Sequence, residues 1–333
     1  HVLLFEDYTF WLNCLIFHLV LVHIAFDTGS IASTIFNFNG PTPWFLIYAL
    51  LTAVVVIFGV EKGIERASRF MMPVLAVLAV LIAIYSLTID GAMAGLKYYL
   101  LPDFSKFSMS TVLGAIGQMF YSMSLAMGIM ITYGSYMQRE NILEHSVTQI
   151  EVFDTLFAFV AGLMIIPPVV AFNGGDPSQI NNGPGLMFIT LPMVFESMPF
   201  GEIVGAVFFL LVLFAALTSS ISLMETIVSV LMDKAGLQRK PATLIVTVIV
   251  LAVGMLSCLG YGPLGSIEII GMQFLDFFDF LSNSILMPIV AFLTCILIGH
   301  VVGTKVIADE VKQGGAAFHR EKLHRVMIRW VAP

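Results

Sequence analysis

Four polar side chains lie in the middle of a long apolar segment, residues 114–136, with the sequence GAIGQMFYSMSLAMGIMITYGSY. They are Gln118, Tyr121, Ser122 and Ser124, and the small residues Ala126 and Gly128 follow them. Uncharged hydroxyl and amide oxygens of this kind suit a weakly held, hard cation such as Na⁺. In a bilayer core, an interrupted helix is stable only where its freed backbone groups face protein, a cavity or a ligand. The segment therefore predicts a broken helix with a binding site at the break, and close helix packing is the alternative.

A second polar group occurs in the apolar segment 202–232, within the sequence FAALTSSISLMET. Its members recur at spacings of three and four residues, which places them on one face of a helix; they are Ala215, Thr218, Ser219 and Ser222. The hydroxyls of Thr218 and Ser219, with the carbonyl of Ala215, would complete a cation cage. The alternative is that each hydroxyl donates to a carbonyl of its own helix, as single Ser and Thr residues often do.

A carboxylate, Asp154, lies in the apolar segment that starts near residue 144. A carboxylate inside a bilayer is costly, so it is by default a candidate for a functional site. Glu144 and Glu151 precede it. The alternative is therefore that the membrane boundary falls here and that Asp154 lies at the cytoplasmic interface.

Two further carboxylates, Asp276 and Asp279, lie about one helical turn apart near the outer end of the last long apolar segment. This spacing fits a cation vestibule, an outer gate or a solvated helix end. An intramembrane aspartyl protease fits poorly, because its two carboxylates would have to come from facing helices.

The elements that carry these residues are membrane spans. Of the 333 residues, 59% are hydrophobic and 11% are charged, a composition that excludes a soluble protein and indicates a polytopic membrane protein. Apolar runs long enough to cross a hydrocarbon core of about 30 Å predict seven helices. They are residues 43–60, 70–88, 111–136, 144–172, 202–232, 241–260 and 272–303, with 10–26 as a candidate eighth.

The cations indicate the orientation of these helices. If the seven helices alternate, Lys97 and Lys106 fall on one side, and the other 13 of the 15 Lys and Arg residues fall on the opposite side. The positive-inside rule makes that opposite side cytoplasmic, including residues 61–69 and the C-terminal tail. We expect a multi-pass protein of the plasma membrane, here a bacterial inner membrane. The net charge of −7 then reflects an acidic outer face and does not indicate a nucleic-acid partner.

Motifs of soluble enzymes are missing from the sequence. It contains no Walker loop, no dinucleotide fingerprint, no HExxH and no nucleophile elbow. We therefore expect neither enzymatic activity nor an organic cofactor.

Several separate blocks of the chain resemble the neurotransmitter:sodium symporter family, which includes a bacterial leucine transporter, and they occur in the family's order. The blocks are VEKGIERASRFMMP at 60–73, GQMFYSMSLAMGIMITYGSY at 117–136, DTLFAFVAG at 154–162, GLMFITLPMVF at 185–195 and FAALTSSIS at 214–222. The resemblance covers roughly residues 41–333. It implies an all-α polytopic membrane protein with a partial leucine-transporter-like inverted-repeat fold, which holds the family's helices four to ten and a candidate for helix three.

The same resemblance implies a division of the chain. Residues 1–40 would be an atypical segment with a degenerate helix three and an outer loop, and they do not resemble the family's first three helices. Residues 41–109 would be helices four and five with an outer loop. Residues 110–303 would form the second inverted repeat, helices six to ten, and residues 304–333 a cytoplasmic segment that leads to helix eleven.

Carried over position by position, the resemblance implies three kinds of site. The substrate pocket would comprise Tyr121, Ser122, Ser124, Met127, Ser219 and Leu223. The first sodium site would use Ser122 and Asp154, and the second Ala215, Thr218 and Ser219. Asp279 would match the acidic residue of the outer gate.

One departure from the family pattern concerns chloride. Asp154 stands where chloride-dependent relatives carry an asparagine, and Ala158 stands where they carry a chloride-binding serine. The fixed carboxylate would supply the negative charge that a bound anion supplies elsewhere. We therefore expect chloride independence.

Taken together, these features predict a sodium-coupled symporter that moves amino acids or related small amines by alternating access within the lipid bilayer. Two Na⁺ sites are expected in a full-length member of the family. Met127 and Leu223 would give the pocket apolar walls, which suits a hydrophobic or aromatic amino acid. The alternative is a truncated or remnant membrane protein that does not transport.

Overall fold

The computed structural model describes residues 41–102, 104–138, 141–176, 186–260, 264–312 and 317–333. The candidate helix at 10–26, with the rest of segment 1–40, lies outside the described residues. In the described ranges the chain is helical, apart from turns and one isolated bridge between Ile269 and Met272.

Thirteen α-helices are described in these ranges. They are α1 Pro41–Ile57, α2 Arg66–Leu87, α3 Ala92–Leu100, α4 Met109–Ser122, α5 Ile129–Ser135, α6 Leu143–Phe172, α7 Leu191–Glu196, α8 Gly201–Ala235, α9 Arg239–Gly260, α10 Phe274–Asp279, α11 Met287–Ile296, α12 Thr304–Val311 and α13 Glu321–Val326. Short π-helical stretches occur at Val60–Glu65, Leu186–Thr190, Phe280–Leu286, Leu297–Gly303 and Met327–Val331, and a 3₁₀ turn at Phe104–Lys106.

Five helical stretches of the described residues are long and apolar enough to cross a membrane. They are Gly63–Leu87, Leu143–Phe172, Gly201–Ala235, Arg239–Gly260 and Phe274–Val311. These correspond to five of the seven predicted spans. The last stretch continues to Val311, eight residues beyond the predicted end, because π-helical turns carry the chain from α10 through α11 into α12.

The other two predicted spans differ from simple long helices. The span predicted at 43–60 corresponds to α1, which begins at Pro41, ends at Ile57 and is shorter than the five long stretches. Gly59 follows it with a φ of 82°, a left-handed conformation that costs glycine little. The span predicted at 111–136 is divided between α4 and α5, as its polar centre predicts.

The chain divides into two compact units. Among the described residues, the large unit comprises 41–107 and 156–275, and the small unit comprises 108–155 and 276–333. The helix α6 contributes residues to both.

The large unit is built around α8, which packs against α1, α2, α7 and α9. Its inner face is almost continuously apolar, and Phe208 and Phe209 are each 1% exposed. The ring of Phe195 meets both of them, at centroid distances of 5.2 and 6.4 Å. Within a bilayer, packed helices are held by van der Waals contact rather than by removal of apolar surface from water, so the close contacts of these three rings hold the first half of α8 in place.

One glycine lets α3 lie directly on α6 within the large unit. A Cβ atom added to Gly95 would lie 2.6 Å from the Cα of Pro167. Real Cβ atoms do not approach a backbone so closely. The short helix that follows α2 therefore depends on glycine at this position.

In the small unit, the C-terminal segment returns along the last long helix. The stretch Met327–Val331 packs against α11 and against Leu297–Gly303. The Nε of Arg329 donates to the carbonyl oxygen of Gly299 at 3.0 Å. The predicted division of the chain at residue 303 stays a prediction.

Candidate functional site

The helix that begins at Met109 breaks at residues 123–128, between α4 and α5. Ser124, Ala126 and Gly128 have φ values of 53°, 64° and 81°. For residues other than glycine, this left-handed conformation costs about 1–2 kcal/mol each, and it persists only where the surrounding structure holds it. The break thus lies among the polar residues where the sequence predicts it.

The last residue of α4 forms a hydrogen bond to a carboxylate of α6. The Oγ of Ser122 donates to Oδ1 of Asp154 at 2.5 Å, although the two residues are 32 positions apart. Both belong to the small unit. The Oδ2 atom of Asp154 receives no hydrogen bond from the described part of the chain. A hydroxyl and a carboxylate beside freed backbone are a suitable donor set for a hard cation.

The predicted substrate residues of the small unit surround the same break. Met127 is buried, and Tyr121 and Ser124 are partly buried, whereas the residue Ser122 is exposed. Ser219 and Leu223 belong to the large unit, where Ser219 is exposed and Leu223 is buried. The assignment of all six residues to one pocket stays a prediction.

The predicted second sodium site lies on one face of α8. Thr218 Oγ1 donates to the carbonyl oxygen of Ala215 at 2.8 Å, and Ser219 Oγ donates to the same oxygen at 3.1 Å. The structure therefore brings all three oxygens together, but through bonds within the helix. This is the alternative that the sequence leaves open, and it still leaves lone pairs on both hydroxyl oxygens for a cation.

The predicted outer-gate residue, Asp279, is the last residue of α10 and is partly buried. Its Oδ1 accepts a hydrogen bond from Nδ2 of Asn283 at 2.5 Å. Asp276, one turn earlier, is exposed. The bond to Asn283 ties Asp279 to its own helix, and its role as a gate stays a prediction.

Sequence reasoning missed a buried ion pair in the large unit. Glu225 of α8 is fully buried, and its two carboxylate oxygens lie 2.6 and 2.8 Å from the two terminal nitrogens of Arg239. The same guanidinium donates to the carbonyl oxygen of Val56 in α1 at 3.2 Å. The rule that singles out Asp154, a carboxylate in an apolar segment of membrane length, also applies to Glu225. Its partner could not be identified from the sequence.

A second missed group ties the start of α6 to the C-terminal segment. The carboxylate of Glu144 accepts hydrogen bonds from the backbone N–H groups of His319 and Arg320, at 3.0 and 3.1 Å. Arg320 also lies 2.9 Å from Glu151. Both acidic residues that precede Asp154 are thus paired with one short segment of the small unit.

A sequence model of the sodium:neurotransmitter symporter family matches residues 20–333 of this chain. The chain belongs to this family. The resemblance drawn from its sequence blocks is thereby confirmed, and the match begins at residue 20 rather than at about residue 41.

Two sodium-dependent transporters are similar to most of this chain. An uncharacterized sodium-dependent transporter, YhdH of Bacillus subtilis, is 35% identical over 291 residues, which are 86% of this chain and 63% of the relative. An uncharacterized sodium-dependent transporter of Methanocaldococcus jannaschii is 30% identical over 295 residues, which are 86% of this chain and 56% of the relative. The chain thus spans about three fifths of the length of these relatives.

A solved structure confirms the fold class. The crystal structure of MhsT in complex with L-phenylalanine matches with a TM-score of 0.88 and 34% sequence identity, over 100% of this chain and 76% of that one. This chain is therefore an all-α integral membrane protein with the leucine-transporter-like fold.

Proposed function

We propose that the protein containing this chain is a sodium-coupled symporter of amino acids or related small amines that works by alternating access. The observation that carries the proposal is the hydrogen bond between Ser122 and Asp154, beside the left-handed break. Two relatives are named sodium-dependent transporters, which supports the coupling to sodium. MhsT was crystallised in complex with L-phenylalanine, which supports an amino acid as the substrate.

The proposed first sodium site is the one with a charge. Na⁺ would take oxygen ligands from the Asp154 carboxylate and the Ser122 hydroxyl, whose proton would turn away from the carboxylate. Na⁺ would neutralise the Asp154 carboxylate, and its binding would stabilise the outward-open arrangement of the transporter. Substrate binding would then favour closure of that arrangement. The second sodium site would use the neutral oxygens of Ala215, Thr218 and Ser219.

The substrate would bind beside the break. Freed backbone groups and the hydroxyls of Tyr121 and Ser124 would bind its charged ends, and Met127 would contact an apolar side chain. This arrangement favours a hydrophobic or aromatic amino acid. Asp279 would close the outer end.

Transport would not require chloride, because Asp154 supplies a fixed negative charge and Ala158 has no hydroxyl to bind an anion. Sodium-driven uptake into proteoliposomes should be unchanged when gluconate replaces chloride on both sides. A strict requirement for chloride would contradict this part of the proposal.

The main test is substrate binding to the purified full-length protein. We expect L-phenylalanine or another amino acid of a standard panel to bind in NaCl, and to bind at least about tenfold more weakly in KCl, which corresponds to about 1.4 kcal/mol of coupling. If every amino acid bound equally well in both salts, sodium coupling would be refuted. Sodium-dependent binding without uptake into proteoliposomes would favour the non-transporting alternative.

Topology can be tested separately. We place residues 61–69 and 304–333 in the cytoplasm of a bacterial cell, with the spans in its inner membrane. Ser68→Cys and Lys322→Cys, each made in protein whose three native cysteines are replaced by serine, should react with a membrane-impermeant maleimide only after the cells are opened. Labelling of either cysteine in intact cells would contradict the cytoplasmic assignment of the segment that contains it.

A further inference from the structure

The middle of the large unit contains a buried group of three hydroxyls. The hydroxyl of Tyr48, in α1, lies 2.5 Å from Oγ of Ser220, in α8. Tyr48 and Thr52 are 0% exposed and Ser220 is 2% exposed. The hydroxyl of Thr52 lies 3.5 Å from the same serine oxygen. A hydrogen bond between side chains of two different helices thus lies in the interior of the large unit.

The donors in this group can be assigned by accounting for each proton. Ser220 Oγ has carbonyl acceptors on its own helix, Ala216 at 3.2 Å and Leu217 at 3.1 Å. Thr52 donates to the carbonyl oxygen of Tyr48 at 3.1 Å. The arrangement that satisfies every donor therefore has the Tyr48 hydroxyl donating to Ser220, whose own proton goes to the backbone of α8. Hydrogen bonds in such a chain polarise and strengthen one another.

Ser220 directly follows two predicted sodium ligands, Thr218 and Ser219. Successive helical residues are separated by 1.5 Å along the axis and by about 100° around it. Ser220 therefore points to a different side of α8 from Ser219, which is exposed while Ser220 is buried. An interaction that fixes the rotation of Ser220 about the axis of α8, and its position along that axis, also fixes the positions of the Thr218 and Ser219 hydroxyls.

We propose that Tyr48 is a positioning residue for the second sodium site, through its hydrogen bond to Ser220. This inference rests on the proposed function. Apolar packing around α8 is not directional, so it permits small shifts and rotations that a hydrogen bond restricts. The other polar anchor of α8 described above is the pair of Glu225 with Arg239, which lies five residues further along the helix. Of these two anchors, the Tyr48 bond lies nearer along α8 to Thr218 and Ser219.

The test uses Tyr48→Phe in the full-length protein and measures binding of L-phenylalanine, or of the amino acid of the panel that binds best to wild-type protein, as a function of sodium concentration. Without its hydrogen bond, α8 would be held less firmly, so we expect the half-saturating sodium concentration to rise about three- to tenfold. Once sodium is saturating, substrate affinity should stay within about twofold, because the site is then filled. A general loss of active protein would lower the number of binding sites and leave the half-saturating concentration unchanged.

Tyr85→Phe is the matched control. The Tyr85 hydroxyl also bonds across the large unit, to the carbonyl oxygen of Pro199 between α7 and α8, far along the chain from Ser219. Because this bond is more exposed than the Tyr48 bond, its loss should cost less thermal stability, and it should leave the sodium dependence unchanged. An equal shift of sodium dependence in Tyr85→Phe would show that any lost tyrosine hydroxyl has this effect, and would overturn the inference.

Ser220→Ala removes the other partner of the Tyr48–Ser220 hydrogen bond. It should raise the half-saturating sodium concentration as Tyr48→Phe does, and it serves in its place if that variant does not fold. In the double variant Tyr48→Phe with Ser220→Ala, the half-saturating sodium concentration should rise no further than in the more affected single variant. Removing both partners leaves neither of the two hydroxyls buried without its bond. Additive effects of the two substitutions would contradict the inference.

The inference and the proposed function can fail separately. If wild-type protein binds substrate only with sodium and both Tyr48→Phe and Ser220→Ala keep its sodium dependence, the positioning role is refuted and the transporter function stands. If wild-type protein binds substrate independently of sodium, the proposed function fails and the positioning role with it.

Discussion

At the break between α4 and α5 the backbone itself is irregular, whereas the polar stretch of α8 from Ala215 to Ser222 lies within an unbroken helix of 35 residues. The break brings a hydroxyl to a carboxylate of another helix, Asp154. The hydroxyls of α8 bond to their own backbone. One group is therefore charged and depends on strained backbone, and the other is neutral and depends on regular helix.

This difference indicates how each group can hold its oxygens in place. A strained, charged group can change its shape when an ion neutralises it, because a differential interaction with the ion shifts the balance between conformations. A neutral group on a regular helix keeps its geometry as long as the helix stays fixed. In the large unit, Glu225 with Arg239 and Tyr48 with Ser220 fix that helix.

The largest expected effect tests how firmly α8 is fixed. Glu225→Gln breaks a fully buried ion pair and should lower the free energy of unfolding by about 3 kcal/mol, because a partly buried guanidinium loses its charged partner. Unfolding by SDS in mixed micelles measures this. The control is Glu65→Gln in the exposed pair with Arg69, which should cost about 0–1 kcal/mol. Equal losses in the two variants would show that the buried pair is not a special anchor.

The second prediction contrasts the charged and neutral groups directly. Asp154→Asn should raise the half-saturating sodium concentration by about 10- to 100-fold, because it removes the formal charge and leaves only a neutral amide oxygen to accept from Ser122 and to bind the ion. Thr218→Val should raise it less, since only a neutral oxygen is lost. Sodium titrations of substrate binding compare the two. A larger effect of Thr218→Val would reverse the assignment of the charged site as the dominant one.

The third prediction makes the same substitution in both regions and expects opposite signs. Ala126→Gly relieves a residue with φ of 64°, whose left-handed conformation costs about 1–2 kcal/mol. After the greater flexibility of the unfolded chain is subtracted, the net stabilisation should be about 0.5–1 kcal/mol. Ala206→Gly, inside α8, should destabilise it by about 0.5–1 kcal/mol. Unfolding in mixed micelles gives both values. Destabilisation by Ala126→Gly would show that residue 126 is not held in a left-handed conformation.

The smallest effect concerns an exposed pair outside the spans. The ammonium of Lys312 and then the guanidinium of Arg325 lower the pKa of Glu321 below its ordinary value of 4.5. The unfolded segment therefore takes up a proton at higher pH than the folded one does. The stability contributed by this carboxylate is complete above pH 4.5 and is lost as the pH falls through the lower, folded pKa.

Hydrogen exchange can measure this loss in residues 317–331. Protection should fall as the pH is lowered below 4.5 in wild-type protein, after correction for the intrinsic exchange rate, and should fall less in Glu321→Gln. The effect should shrink in high salt because exposed charges are screened. The same pH dependence in both proteins would exclude Glu321 as its source.

Local patterns predicted much of the fold and part of the site. Apolar runs located the five long helical stretches to within a few residues at most ends, and the polar centre of 111–136 located the break. The main errors were at ends that depend on backbone detail. α1 ends early at Ile57, before the left-handed Gly59, and the last stretch continues through π-helical turns to Val311.

The site was predicted as single residues on separate elements. Spacing placed Thr218 and Ser219 on one face of α8, which follows from helix geometry alone. The resemblance placed Ser122 with Asp154, and the structure brings them to 2.5 Å. Spacing could not pair Glu225 with Arg239, because several Lys and Arg residues in the predicted cytoplasmic connections were equally good candidates for its partner.

By itself, the sequence determined that this chain is a helical membrane protein, where its helix is interrupted, and which face of α8 is polar. These properties depend on neighbours within a few turns, so periodicity and composition carry them. The tertiary structure decided which groups meet. Tyr48 and Ser220 are 172 residues apart and Ser122 and Asp154 are 32 apart, and only the packing of whole helices brings such pairs within hydrogen-bonding distance.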